Sequence, residues 1–191
     1  MVILPQDASV KRPLRIALTV LSCALYLLPF LGSDPSSVNY TGLFALRPWL
    51  TLSCLLPGLL LMSVRFYRTA ARFLSVSRAR RILLGLLVMT AVLLLIPYHM
   101  QEDFWSGLHV FWAWLTFGAL NAALFLLSPY DPGAYRFYIA ALAASFFITL
   151  GALSVNGYAE LVFAFGLSIY LHCVSETKEK SESEDPLHET I

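Results

Sequence analysis

The chain has 191 residues, 58% of them hydrophobic and 13% charged, with a formal net charge of +1. At a mean hydropathy of +0.70 it lacks the polar surface that a soluble domain of this length needs to cover its core. The basic residues sit at the edges of apolar runs rather than on a soluble face, which excludes nucleic acid as a partner.

Long apolar runs with short polar punctuation predict an all-α polytopic integral membrane protein with six transmembrane helices. Residues 1–13 form a short N-terminal segment in which Lys11 and Arg12, followed by Arg15, precede the first apolar run. Residues 14–31 are read as a retained first helix: the run approaches a full span, and no small-residue cleavage pattern follows it. Gly32 to Thr41 has the Gly, Asp, Pro and Ser content of a turn. Its Asn39-Tyr40-Thr41 fits a glycosylation sequon beside the membrane surface.

The second helix is expected over 42–64, with Arg47 and Trp49 in its first turns and Pro57-Gly58 near mid-span. Arg65 to Arg81 then holds six of the thirteen basic residues. A segment this cationic resists translocation, so it is read as a cytoplasmic loop, and alternation then places both chain termini on the cytoplasmic side. A short surface helix facing anionic headgroups is compatible with the same residues.

A third helix follows over 82–98, an outer turn over 99–106, and a fourth helix over 107–127. A fifth is expected over 135–155 and a sixth over 158–174, joined by a tight turn at Asn156-Gly157. All four tryptophans (Trp49, Trp105, Trp112, Trp114) fall on the outer half, as an interfacial aromatic belt requires. The acidic segment 175–191 has no apolar period and is expected to be a disordered cytoplasmic tail. Cys23, Cys54 and Cys173 lie in apolar runs with no metal-ligand spacing, so they read as small hydrophobes and no cofactor is expected. The pattern fits a plasma membrane or a bacterial inner membrane, and leaves organelle membranes open.

Ionisable side chains in or beside spans are the first places to look for function. Arg47, His99, Glu102, Asp103, His109 and Glu160 all map to the outer level, with Trp112 nearby. One reading is structural, with Arg47 paired to Glu160 or Asp103. A second is a binding site in which Arg47, Glu102, Asp103, His109, Glu160 and Trp112 take a lipid headgroup or a small polar ligand. A third is a metal-dependent lipid hydrolase, with His99, Asp103 and His109 as ligands and Glu102 or Glu160 activating water. Asn121 lies among Gly118, Ala119 and Ala122, which reads as helix-packing glue. No catalytic motif is evident. The leading expectation is therefore a protein that binds membrane lipids, a membrane partner subunit or a second copy of itself.

The stretch Leu93 to Leu126, LLLIPYHMQEDFWSGLHVFWAWLTFGALNAALFL, resembles a hairpin of the six-helix membrane family called domain of unknown function 998. Pro97, Asp103, His109 and the Trp112 to Phe117 run carry the resemblance, and the DRAM-like membrane proteins have a similar histidine-led helix. The resemblance implies a polytopic fold and a lipid-related or regulatory role, and no reaction.

Overall fold

In a computed structural model the protein is described over residues 8–96 and 103–183, and these are all-α. Five helices are long and apolar enough to cross a bilayer: Arg12–Phe30, Pro48–Phe73, Phe104–Tyr130, Pro132–Ala152 and Gly157–Thr177. The chain is thus a multi-pass membrane protein. Its residues fall into two compact units, Met1–Arg65 with Gly133–Ile191, and Phe66–Pro132.

In the first unit, α1 (Ala8–Leu27) ends in a 3-10 turn over Leu28–Phe30, and a loop leads to the short α2 (Tyr40–Leu46). The expected second helix is broken near its start. Arg47 precedes Pro48, and the proline ring disfavours helical backbone in the residue before it. Arg47 accordingly sits at φ −141°, ψ 63°, and α3 (Pro48–Phe73) starts with its proline at the first position, where no N–H is needed. α3 crosses α1 at Gly58, where an added Cβ would stand 3.5 Å from Leu25 and 3.6 Å from Tyr26.

α6 (Pro132–Ala152) ends three residues short of the expected Val155. Leu153 adopts φ 54° there, a left-handed backbone that terminates the helix. Asn156 caps α7 (Gly157–Ser183), its Oδ1 accepting the Ala159 N–H at 3.1 Å. Gly157 is required by close approach: its N–H donates to the carbonyls of Pro35 and Val38 at 2.8 and 2.9 Å, and a Cβ would lie 2.2 Å from the Phe30 ring. Further along, Gly166 lets α7 meet α6 at Ala141, where a Cβ would clash at 2.6 Å.

α7 does not stop at Val174. It continues through Ser183, so the segment expected to be a disordered tail begins as helix. Glu and Lys are good helix formers, and the lack of apolar residues after Val174 removes the membrane span without removing the helix. The rest of that tail, residues 184–191, lies outside the described residues.

The second unit contains the other large departure. The expected Arg65–Arg81 loop is the end of α3, a two-residue turn and the start of α4 (Val76–Leu95). Nothing between Phe66 and Phe73 breaks a helix, and Phe66 and Ala70 stay buried on one face while Arg68 and Arg72 point out. Ser75 accepts the Arg78 N–H at 3.3 Å and caps α4. Arg78, Arg80 and Arg81 enter the first turns of α4, which is why it is not among the five apolar spans. α4 and α5 (Phe104–Phe125) form an antiparallel hairpin, with the Trp112 indole N–H donating to the Met89 carbonyl at 2.9 Å. A 3-10 turn over Ser128–Tyr130 follows α5, and Tyr130 stacks on Phe73 with ring centroids 4.3 Å apart.

Candidate functional site

The described residues among those expected to share one polar site are each engaged locally. Glu160, in the first turn of α7, accepts the Tyr40 backbone N–H at 2.7 Å and so ties off the start of α2. Arg47 donates to the carbonyls of Leu31 and Gly32, at 2.7 and 3.4 Å. The expected Arg47–Glu160 pair is thus replaced by two separate ties to the 31–40 loop. Backbone groups compete for both side chains because that loop leaves them without helical partners. Asn39 completes the clasp: its Oδ1 accepts the Gly42 N–H at 2.9 Å, and its Nδ2 donates to the Val155 carbonyl at 3.1 Å. Burial pushes the Tyr40 phenol up from its ordinary range, and the Glu160 carboxylate pushes it further. It stays protonated and donates to the Tyr26 carbonyl at 2.7 Å.

In the second unit Asp103 caps α5, accepting the Ser106 N–H at 2.7 Å. His109 Nδ1 bonds the Ile96 carbonyl at 2.9 Å, where α4 ends and its last carbonyls need donors. His99 and Glu102 lie outside the described residues. Among the described residues no group of three His, Cys, Asp or Glu side chains could hold a metal ion. The Asn121 amide donates to the Phe117 carbonyl of its own helix at 2.8 Å. Gly118 and Ala122 are exposed, with open space where a Gly118 Cβ would stand, so this smooth face packs against nothing in its own unit.

The structure concentrates polarity elsewhere, at a residue expected to begin a loop. Arg65 lies inside α3, and its guanidinium reaches α1 and α7. Nη1 donates to Ser168 Oγ at 2.8 Å and to Ser22 Oγ at 3.2 Å. Nη2 donates to Thr19 Oγ1 and to the Ser168 carbonyl, at 2.9 and 2.8 Å. Ser22 and Ser168 are fully buried. At 1.5 Å per residue, Ser168 lies about 16 Å from Gly157 and about 14 Å from Thr177, close to half-way along an apolar span.

From that level a polar seam runs to one end of the unit. Arg12, Arg15, Thr19 and Ser22 recur at helical spacing on one face of α1, as Ser168, His172 and Glu176 do on α7. Glu176 Oε1 lies 3.6 Å from Arg12 Nε and 3.7 Å from His172 Nε2. Side-chain exposure climbs from zero at Ser168 through 18% at His172 and 26% at Glu176 to 74% at Arg12, so the seam opens at that end. Every hydrogen-bond partner of Arg65 among the described residues is neutral. Burying a cation against neutral partners is costly in a low-dielectric setting, where a counter-charge would offset it.

The apolar windows hid this site. Hydropathy alone ends the second span at Val64 and leaves Arg65 in a loop. The signal that could have found it is the set of polar side chains at i, i+3 and i+4 spacing within apolar runs, Thr19 and Ser22 on one helix and Ser168 with His172 on another. Comparison of the chain with protein-family models, with curated proteins and with solved structures finds no match.

Proposed function

We propose that this chain is a six-span, non-catalytic membrane protein with both termini on the cytoplasmic side, and that it binds a lipid whose headgroup enters the Arg65 seam. One observation carries the reading: a polar strip inside apolar spans, from an open end to a half-buried guanidinium with neutral partners. A lipid matches it in form, because its tails suit the exposed apolar surface of the helices while its headgroup suits the seam. The sixth span is α4, entered past Arg78, Arg80 and Arg81. The orientation rests on alternation along the sequence: basic residues precede the first span and cluster between the second and third, whereas the connections after the first, third and fifth spans hold Arg47 alone. The outer residues support binding less well, since Glu160, Arg47 and Asn39 are spent on the clasp.

The test is native mass spectrometry of the full chain released from detergent micelles, for wild type and Arg65→Met. Wild type should retain co-purified lipid and Arg65→Met should lose most of it. Equal lipid on both proteins would remove the seam as the binding site.

A further inference from the structure

We propose that the turn joining α3 to α4 is a docking surface for the anionic phosphate headgroups of the membrane, carried by Arg68, Arg78, Arg80 and Arg81. The surface is independent of the seam, and it gives the most basic stretch of the chain a binding role beyond orientation.

Three observations converge on it. The first is charge. No acidic residue occurs in the sequence between Asp34 and Glu102, so both helices arrive at the turn without a carboxylate of their own. All four arginines are exposed. Arg81 Nε donates to the Ser77 carbonyl of its own helix at 3.4 Å, and no ion pair joins any of the four to a described residue. Arg72 on α3 and Asp131, which follows Tyr130, already have partners, and the surface does without them.

The second is construction. Ser75 caps α4 through the Arg78 N–H at 3.3 Å. Tyr130 stacks on Phe73 and donates its hydroxyl to the Phe73 carbonyl at 3.2 Å, which braces the end of α3. Ala70 and Ala79 are fully buried, so both helices turn small residues inward and the arginines flanking Ala79 outward. Orientation in a bilayer requires only that positive charge be present. A fixed array does more: it holds planar guanidinium forks ready for phosphate oxygens.

The third is placement. Arg68 follows the exposed Trp49 by 19 residues of α3, a rise of about 28 Å. A hydrocarbon core is about 30 Å thick, so with the tryptophan at one interface the arginines stand at the other, where lipid phosphates lie. Val76 is exposed among them and offers an apolar contact at the same level. Basic clusters of this size beside a span attract anionic lipid.

The experiment places the full chain in phosphatidylcholine vesicles holding a trace of pyrene-tailed phosphatidylglycerol or, with the same tails, pyrene-tailed phosphatidylcholine. Energy transfer from the tryptophans reports which lipid gathers at the protein. Wild type should prefer phosphatidylglycerol. Arg80→Gln and Arg81→Gln should each lower that preference about threefold, within the worth of one cation at a membrane surface. Raising the salt from about 0.1 M to about 1 M shortens electrostatic screening from about 10 Å to about 3 Å. It should lower the wild-type preference too, and this arm needs no variant to fold or insert. Arg65→Met should keep the preference intact. No preference in wild type overturns the docking surface, as does a preference that survives both turn variants and high salt. A preference lost in Arg65→Met and kept in the turn variants upholds the lipid reading of the seam and overturns the turn.

Discussion

The first unit holds two charged side chains largely out of water, Glu160 and Arg65, and the two are handled in opposite ways. Glu160 meets a backbone N–H that had no other partner, inside a clasp where Asn39, Arg47 and Gly157 also close on backbone groups. Glu160 and Arg47 satisfy main-chain groups of the 31–40 loop, and Asn39 satisfies those of Gly42 and Val155. Arg65 meets Ser168 and two further hydroxyls, and those two already have partners of their own. Thr19 Oγ1 donates to the Arg15 carbonyl and Ser22 Oγ to the Leu18 carbonyl, both at 2.9 Å, before the guanidinium arrives. The clasp is what the fold needs, whereas the seam is polarity that the fold could do without. A buried ionisable group on its own therefore separates neither role; what it satisfies does.

The comparison breaks most sharply at Gly157. Alanine there drives a Cβ to 2.2 Å from Phe30 and 2.8 Å from the Val38 carbonyl, and overpacking of this kind costs about 2–3 kcal/mol. The unfolding midpoint of purified protein should fall accordingly, while lipid occupancy of the surviving folded fraction stays at the wild-type level. Next comes Glu160→Ala, which strands the half-buried Tyr40 N–H at a cost of about 1–3 kcal/mol. Glu160→Gln keeps a carbonyl oxygen in place and should recover most of that loss. If glutamine were as damaging as alanine, the negative charge rather than the hydrogen bond would be the point of the clasp. Asn39→Ala removes a helix cap and a cross-loop bond and should cost about 1 kcal/mol. Both amide atoms of Asn39 are used, so the folded chain does not present this sequon side chain free for glycosylation.

Much of the fold was legible because bilayer-length apolar runs carry their own signal. That long apolar helices recur along the chain follows from composition; their limits do not, since α1 starts at Ala8 rather than at residue 14 and α5 at Phe104 rather than at residue 107. The misreadings share one physical origin: hydropathy marks where a membrane ends, and helices obey backbone rules instead. Arg47 broke a span because proline followed it. The Phe66–Phe73 stretch and the residues after Val174 stayed helical because nothing there breaks a helix. The candidate site was harder to read. Glu160 and Asn39 stood out as polar residues near turns, but their true partners were main-chain groups, which a sequence does not advertise. Arg65 was set aside as a loop residue, and its partners were serines and a threonine, residues common enough in spans to pass unnoticed.

The smallest expected effect on stability is the most informative. Arg65→Met removes a cation from apolar spans and leaves Thr19 and Ser22 bonded to their own helix carbonyls. Replacing a buried charge by an apolar side chain of similar length is often neutral or stabilising, so the unfolding midpoint should move by about 1 kcal/mol or less in either direction. A guanidinium kept for the fold would instead behave like Glu160, and its loss would cost as much as breaking the clasp. Stability retained together with bound lipid lost would assign the arginine to the ligand. Stability lost by 2 kcal/mol or more, about the cost of orphaning a buried group, would assign it to the helix contacts and leave the seam as the second lock of the same fold.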